Sequence, residues 1–150
     1  MKKEEQIEKK DEQQIPQIFI NAQYIKDLSL EVPLAPEIFK ELNTAPHVDI
    51  NVDIQAKHLE KNFFNVSLKM LLEGNLEEKK VFILELEYAS VVTLNVPQEH
   101  VEPVLLIEIP RQMFPFARSI ILQNLANAGL PPINLQPIDF AQIYARKKAN

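Results

Sequence analysis

The side chains with the most obvious chemical reach in this sequence are His47, His58 and His100 and the four serines Ser29, Ser67, Ser90 and Ser119. A zinc hydrolase places two histidines one helical turn apart beside a carboxylate, and the histidines here are scattered among loops and strand ends without that spacing. No serine sits in the Gly-x-Ser-x-Gly elbow that presents a nucleophile. The absence of cysteine removes thiol nucleophiles, disulfides and thiolate metal ligands together. Gly74 and Gly129 are the only two glycines, so the clustered glycines that cradle phosphates and dinucleotides are missing. Glu85 and Glu87 come nearest to a carboxylate pair, but their spacing is the ordinary one for a solvated strand face. The expectation is a protein that is not an enzyme and holds no cofactor and no metal. An α+β domain that binds a small molecule stays open as an alternative.

What these residue types offer instead is recognition. Asp27 and Glu31 are spaced to point the same way from one strand, and Glu85 and Glu87 join them on the solvent side if their strand lies in the same sheet. Such a face is either kept wet by its charge or docks a basic partner. The formal net charge of −5 and the lack of a concentrated basic surface argue against nucleic acid as a partner. The opening MKKEEQIEKKDEQQ has no apolar core for a signal segment, and no apolar run is long enough to span a bilayer. A cytoplasmic protein without direct membrane insertion is expected. At 150 residues and 46% hydrophobic composition, the chain suits one domain with a real core.

The elements that must position these residues read mostly as β. Residues 1–16 are charged and nearly free of apolar side chains, a mobile tail by composition, and 17–150 form the domain. From Phe19 to Val32, one strand side carries Tyr24, Lys26, Leu28, Leu30 and Val32, the other Ile25, Asp27, Ser29 and Glu31. Pro33, Pro36 and Pro46 delimit a loop with Leu34, Ile38, Phe39 and Leu42 as its apolar residues, which either folds over the core or lines a binding groove. His47 to Ala56 alternates cleanly, and Phe64 to Leu72 continues the theme. A turn at Glu73 to Glu78 containing Gly74-Asn75 returns the chain into Val81 to Tyr88. After Val91 to Val96, Gln98 to Ile109 reads as a short helix interrupted at Pro110. Pro115 in a first-turn position, with Gly129, Pro131 and Pro132 at the far end, brackets a main helix over Phe114 to Ala128. Asp139 is placed to cap a last helix ending in Arg146, Lys147 and Lys148. The sum is an α+β fold, a four-stranded antiparallel sheet with two main helices packed on one face. Arg118 alone is charged in the main helix, so its back is expected to be covered by other subunits, with Ile121 and Leu125 at the interface. An ordinary intrachain core helix is the alternative.

Two stretches carry a resemblance. MFPFAR at Met113 to Arg118 followed by GLPPINLQPIDF at Gly129 to Phe140, and IKDLSLEVPLAP at Ile25 to Pro36, resemble the SecB family of bacterial protein-export chaperones, with thinner similarity from Phe19 to Tyr144. The resemblance implies a homotetramer, a dimer of dimers, that holds unfolded preproteins in the cytoplasm and delivers them to the export ATPase SecA. It implies SecA contacts at Asp27 and Glu31, in KDLSLE, and at Glu85, in FILE. It places Phe39 and Phe82 in a client groove, with Leu34, Ile38 and Leu42 as candidates from the loop. A chaperone dedicated to one client, such as an antitoxin, would share the same motifs. The chain departs from the family in having no tryptophan after Phe39 and in carrying YASVV at 88–92 where a glycine-rich segment is common.

Overall fold

The long alternating runs of apolar side chains become strands, and the strands are longer than the alternation alone marks. The computed structural model describes residue 15 and residues 17–150; the expected charged tail lies, apart from Ile15, outside the described residues. Four strands, β1 (Gln17–Glu31), β2 (His47–Glu60), β3 (Phe63–Leu76) and β4 (Lys79–Asn95), form one antiparallel sheet in the order β1-β4-β3-β2. The meander from β2 to β4 needs only tight turns, whereas β1 reaches the far edge through the proline-bearing loop that precedes β2. In that loop Ile38 is inserted into the core and Glu41 accepts from Lys79 at 2.7 Å, tying the loop to the β3-β4 end of the sheet. Residues Glu37–Lys40 make a single 3-10 turn there.

Three local expectations need correcting. Gly74 is not a turn residue: β3 runs on to Leu76 and the reversal falls at Glu77, with a φ of 56°, and Glu78. Gly74 pairs instead with Phe82, whose ring occupies the space a side chain would need. The segments read as Val81–Tyr88 and Val91–Val96 are one 17-residue strand. Finally, β1 does not keep a single alternation. Register shifts at Asn21 and Lys26 insert bulges, so Ile25 pairs with Tyr88 on the helix side while Tyr24 pairs with Ala89 on the outer side. Asp27, Ser29 and Glu31 lie beyond the second bulge and keep the outward direction the alternation assigns to them.

Helices α1 (Gln98–Pro103) and α2 (Ile109–Asn127) are joined without a break by a π-helical turn (Val104–Glu108), and α3 (Phe140–Ala149) follows an extended crossover. Pro115 therefore sits inside α2, not at its start. A proline removes one backbone donor and crowds the carbonyl a turn earlier. The buried Pro110 is accommodated by the wide turn, in which the Ile109 N–H reaches back to the Val104 carbonyl. Arg111 and Pro115, one turn apart, both lie on the exposed side of α2. The C-terminus matches the expectation. Gly129, with a φ of 77°, and Leu130 donate to the Ala126 and Leu125 carbonyls at 3.0 and 3.2 Å, a paired closure that needs the left-handed backbone at Gly129.

The core lies between the inner sheet face and one stripe of α2. Met113, Ala117, Ile121 and Leu125 recur at helical spacing and meet Leu68, Leu72, Leu84 and Val92 from the sheet. Arg118 donates to the Leu135 carbonyl at 3.0 Å, fastening the crossover along α2. Phe140 enters the same core and meets Phe114 edge-on at 6.1 Å between ring centroids.

Candidate functional site

Helices cover one sheet face and leave the other open, and the open face is where the carboxylates gather. Asp27 on β1 pairs with Glu87 on β4, Glu87 with Lys69 on β3, and Lys69 with Asp53 on β2, so one straight row of charge crosses all four strands. Ser29 pairs with Glu85 in the next row, and Glu31, Glu73 and Asp49 extend the acidic end in the row after that. All three expected docking carboxylates, Asp27, Glu31 and Glu85, are exposed on this face. The charge is balanced only in part. Lys69 stands 3.7 Å from Glu87, and Lys80 pairs with Glu73. A shallow concavity of about 360 Å³ runs along the charged row, lined by Asp27, Asp53, Lys69, Leu71, Glu85 and Glu87 among others.

Asp53 is the acidic residue that spacing in the sequence did not single out. Burial alone would raise its carboxyl, but the hydrogen bond and charge of Lys147, with help from Gln55 and the Ile54 backbone, hold it below the ordinary aspartate value. Its partner lies 94 positions away on α3, a distance no local pattern reveals. The far end of the same face carries fewer carboxylates and is partly apolar, with Lys57 opposite Asn65 and Glu60 opposite Phe63 as its charges. Phe19 and Phe63 flank Thr93 in one row, and Tyr24 donates to Asn65 at 2.7 Å.

The residues expected to line a groove divide into two groups. Phe39 and Leu34 are exposed, by 43% and 41%, and Leu42 is half-buried against the core. The Phe39 ring lies over Gly129, within 3.5 Å of where a Cβ would be, so the loop and the end of α2 share an apolar surface. Phe82 and Ile38, in contrast, are buried to 0% and 2% exposure, and they hold the fold rather than line an open surface. The reason for Phe82 is Gly74, whose missing side chain makes room for the ring inside the sheet layer. The interface assignment of Ile121 and Leu125 is corrected for the same reason. Both face their own sheet, at 0% and 3% exposure, and the open back of α2 carries Gln112, Phe116, Ser119 and Gln123 instead.

An acidic open sheet face and a proline-anchored apolar loop accompany the MFPFAR helix and the NLQP crossover, which Arg118 fastens together. The family described as Preprotein translocase subunit SecB matches residues 11–150. The chain belongs to the SecB family. Among SecB relatives, the Protein-export protein SecB of Rhodospirillum rubrum is 52% identical over 130 residues, covering 87% of this chain and 81% of its own length. That of Paramagnetospirillum magneticum is 47% identical over 136 residues, covering 90% and 88%. Among solved structures, a SecB-like chaperone from Mycobacterium tuberculosis in complex with a ChAD peptide from an antitoxin superposes with a TM-score of 0.68 at 14% identity, covering 81% of this chain and 90% of that one. At that identity the likeness shows the shared SecB fold. Among the described residues no helix is long and apolar enough to cross a membrane.

Proposed function

We propose that this SecB-family protein is a cytoplasmic holdase that keeps preproteins unfolded and passes them to SecA for export. The observation that carries the reading is the presence of two different surfaces: carboxylates concentrate at one end of the open sheet face, while Phe39 and Leu34 stand exposed on the loop, with Phe39 beside the end of α2. Holding an unfolded chain requires area and many weak contacts rather than chemistry. Phe39 and Leu34, backed by Leu42 on a loop fastened through Ile38 and Glu41, supply such area without moving parts. Delivery requires a second surface that a client does not occupy. Asp27, Glu31 and Glu85, extended by Asp53 and Glu87, suit a basic part of SecA, because like potentials repel and opposite ones steer encounter. The assembly in this reading is a dimer of dimers, with contacts from the open back of α2 around Phe116. No step of it calls for catalysis, a cofactor or a metal.

The test is charge reversal of Asp27, Glu31 and Glu85 to lysine together. Association with SecA, measured by equilibrium titration, is expected to fall by at least an order of magnitude and to become less sensitive to salt. Retention of an unfolded preprotein and the thermal midpoint should stay near wild type, since exposed strand charges contribute little to stability. Loss of client retention in parallel would mean that these carboxylates support the fold, and unchanged SecA binding would remove the docking assignment.

A further inference from the structure

Lys147 stands on the last turn of α3, yet its ammonium crosses to the edge of the sheet. It donates to Asp53 Oδ1 at 2.9 Å and to the Ile54 carbonyl at 2.7 Å on the edge strand β2. The adjacent Lys148 fastens the opposite side of the helix, pairing with Glu102 of α1 at 2.9 Å while its ammonium lies 5.6 Å from the centre of the Tyr144 ring. Between the two fastenings is a cavity of about 590 Å³, walled by Ile54, Val101, Leu105, Leu106 and Tyr144 among others. Beyond Phe140 no α3 residue is fully buried. The C-terminal part of α3 is therefore held by the two lysines and by half-buried Ile143 and Tyr144, a segment suited to local opening.

Asp53 is also the first carboxylate of the charged row on the outer face, in register with Lys69, Glu87 and Asp27. One side chain thus serves two surfaces. A cation arriving on the row takes up Asp53 oxygen and places positive charge beside Lys147, and both effects weaken the Lys147 contact. We propose that docking of a basic polypeptide on the outer face and fastening of α3 compete for the Asp53 carboxylate, so that docking loosens α3 and opens the cavity beneath it. The proposal rests on the reading of that face as a docking surface. By linkage the effect is reciprocal: whatever factor docking loosens α3, loosening at Lys147 tightens docking. Both partners of the pair are nearly half exposed, which sets the factor at about two- to fivefold.

The experiment uses the full chain at low salt, a fluorescent oligolysine peptide and amide hydrogen exchange. Saturating peptide should speed exchange across residues 141–149 by about two- to fivefold and leave β3 and β4 unchanged. Lys147→Ala should speed exchange there without peptide, abolish the response to peptide, and tighten peptide binding by the same factor. Lys148→Ala makes the same change in net charge on the α1 side, so it should loosen α3 while tightening the peptide distinctly less. Bound peptide with unchanged α3 exchange, or equal tightening by the two variants, overturns the coupling and leaves the docking surface standing. Failure of oligolysine to bind the wild-type chain overturns the docking surface and the coupling with it.

Discussion

The Asp53 carboxylate titrates against a lysine that belongs to another element, and that gives the fastening of α3 a pH dependence of definite sign. Its pKa in the folded protein lies below the ordinary aspartate value, with burial opposing and Lys147 producing the shift. A depressed folded value stabilises the charged form. The contribution is complete above about pH 4, and it is lost as pH falls through the folded value. Both side chains are close to half exposed, so screening limits it to below about 1 kcal/mol. The excess exchange protection of residues 141–149 in wild type over Asp53→Asn should accordingly fade as pH falls through that depressed folded value and persist undiminished at neutrality. A different limit governs Gly74. A Cβ there would overlap the Phe82 ring, and the ring is fully buried, so Gly74→Ala should destabilise the fold by about 1–3 kcal/mol in urea titrations at unchanged m-value.

At the scale of elements, how much was legible followed from how local the determining interaction is. The alternation in β2 and β3, the cap at Asp139 and the closure at Gly129 all depend on residues within a few positions, and each stands where sequence reasoning puts it. Asp139 accepts from the Gln142 N–H at 3.0 Å. Asp139→Ala should therefore cost about 1 kcal/mol, read as faster amide exchange in the first turn of α3 with β3 and β4 unaffected. The starting point of the long helix depends on something less local. Pro103, Pro110 and Pro115 each look like a boundary, yet the π turn and the open side of α2 absorb Pro110 and Pro115. The β1 bulges are likewise fixed by pairing with β4, so the alternation misassigned Tyr24 and Ile25. Of the candidate site, the outward direction of Asp27, Glu31 and Glu85 was legible, because strand parity holds beyond the second β1 bulge and along β4. Phe82, Ile38, Ile121 and Leu125 were not, because an apolar side chain reads the same in sequence whether its neighbour is its own sheet or a second molecule.

For the whole molecule, the open back of α2 sets the expectation for assembly. Phe116 is 54% exposed there amid Gln112, Ser119 and Gln123, a stretch with little to keep it in water. Phe116→Asp should convert the proposed tetramer to smaller species in light scattering at micromolar concentration, because an unpaired carboxylate in an interface costs several kcal/mol. Its position on the solvent side of the protomer means the fold itself should survive the change, as circular dichroism would show. A stable wild-type monomer at that concentration would end the tetramer reading.

The sheet order also fixes when each strand can find its neighbour during translation. β1 is the first of the described strands to be made, but among them its sole partner is β4, with Gln17 opposite Asn95 and Glu31 opposite Ile83. At bacterial rates of synthesis, that delay amounts to roughly ten seconds. Throughout it, Ile18, Phe19, Ile20 and Ile25 leave the ribosome with no strand to accept them, while β2, β3 and β4 zip up as successive hairpins as soon as they emerge. The oldest strand of the nascent chain is thus the last to be enclosed, and the newborn protein passes through the same unprotected state as an export precursor.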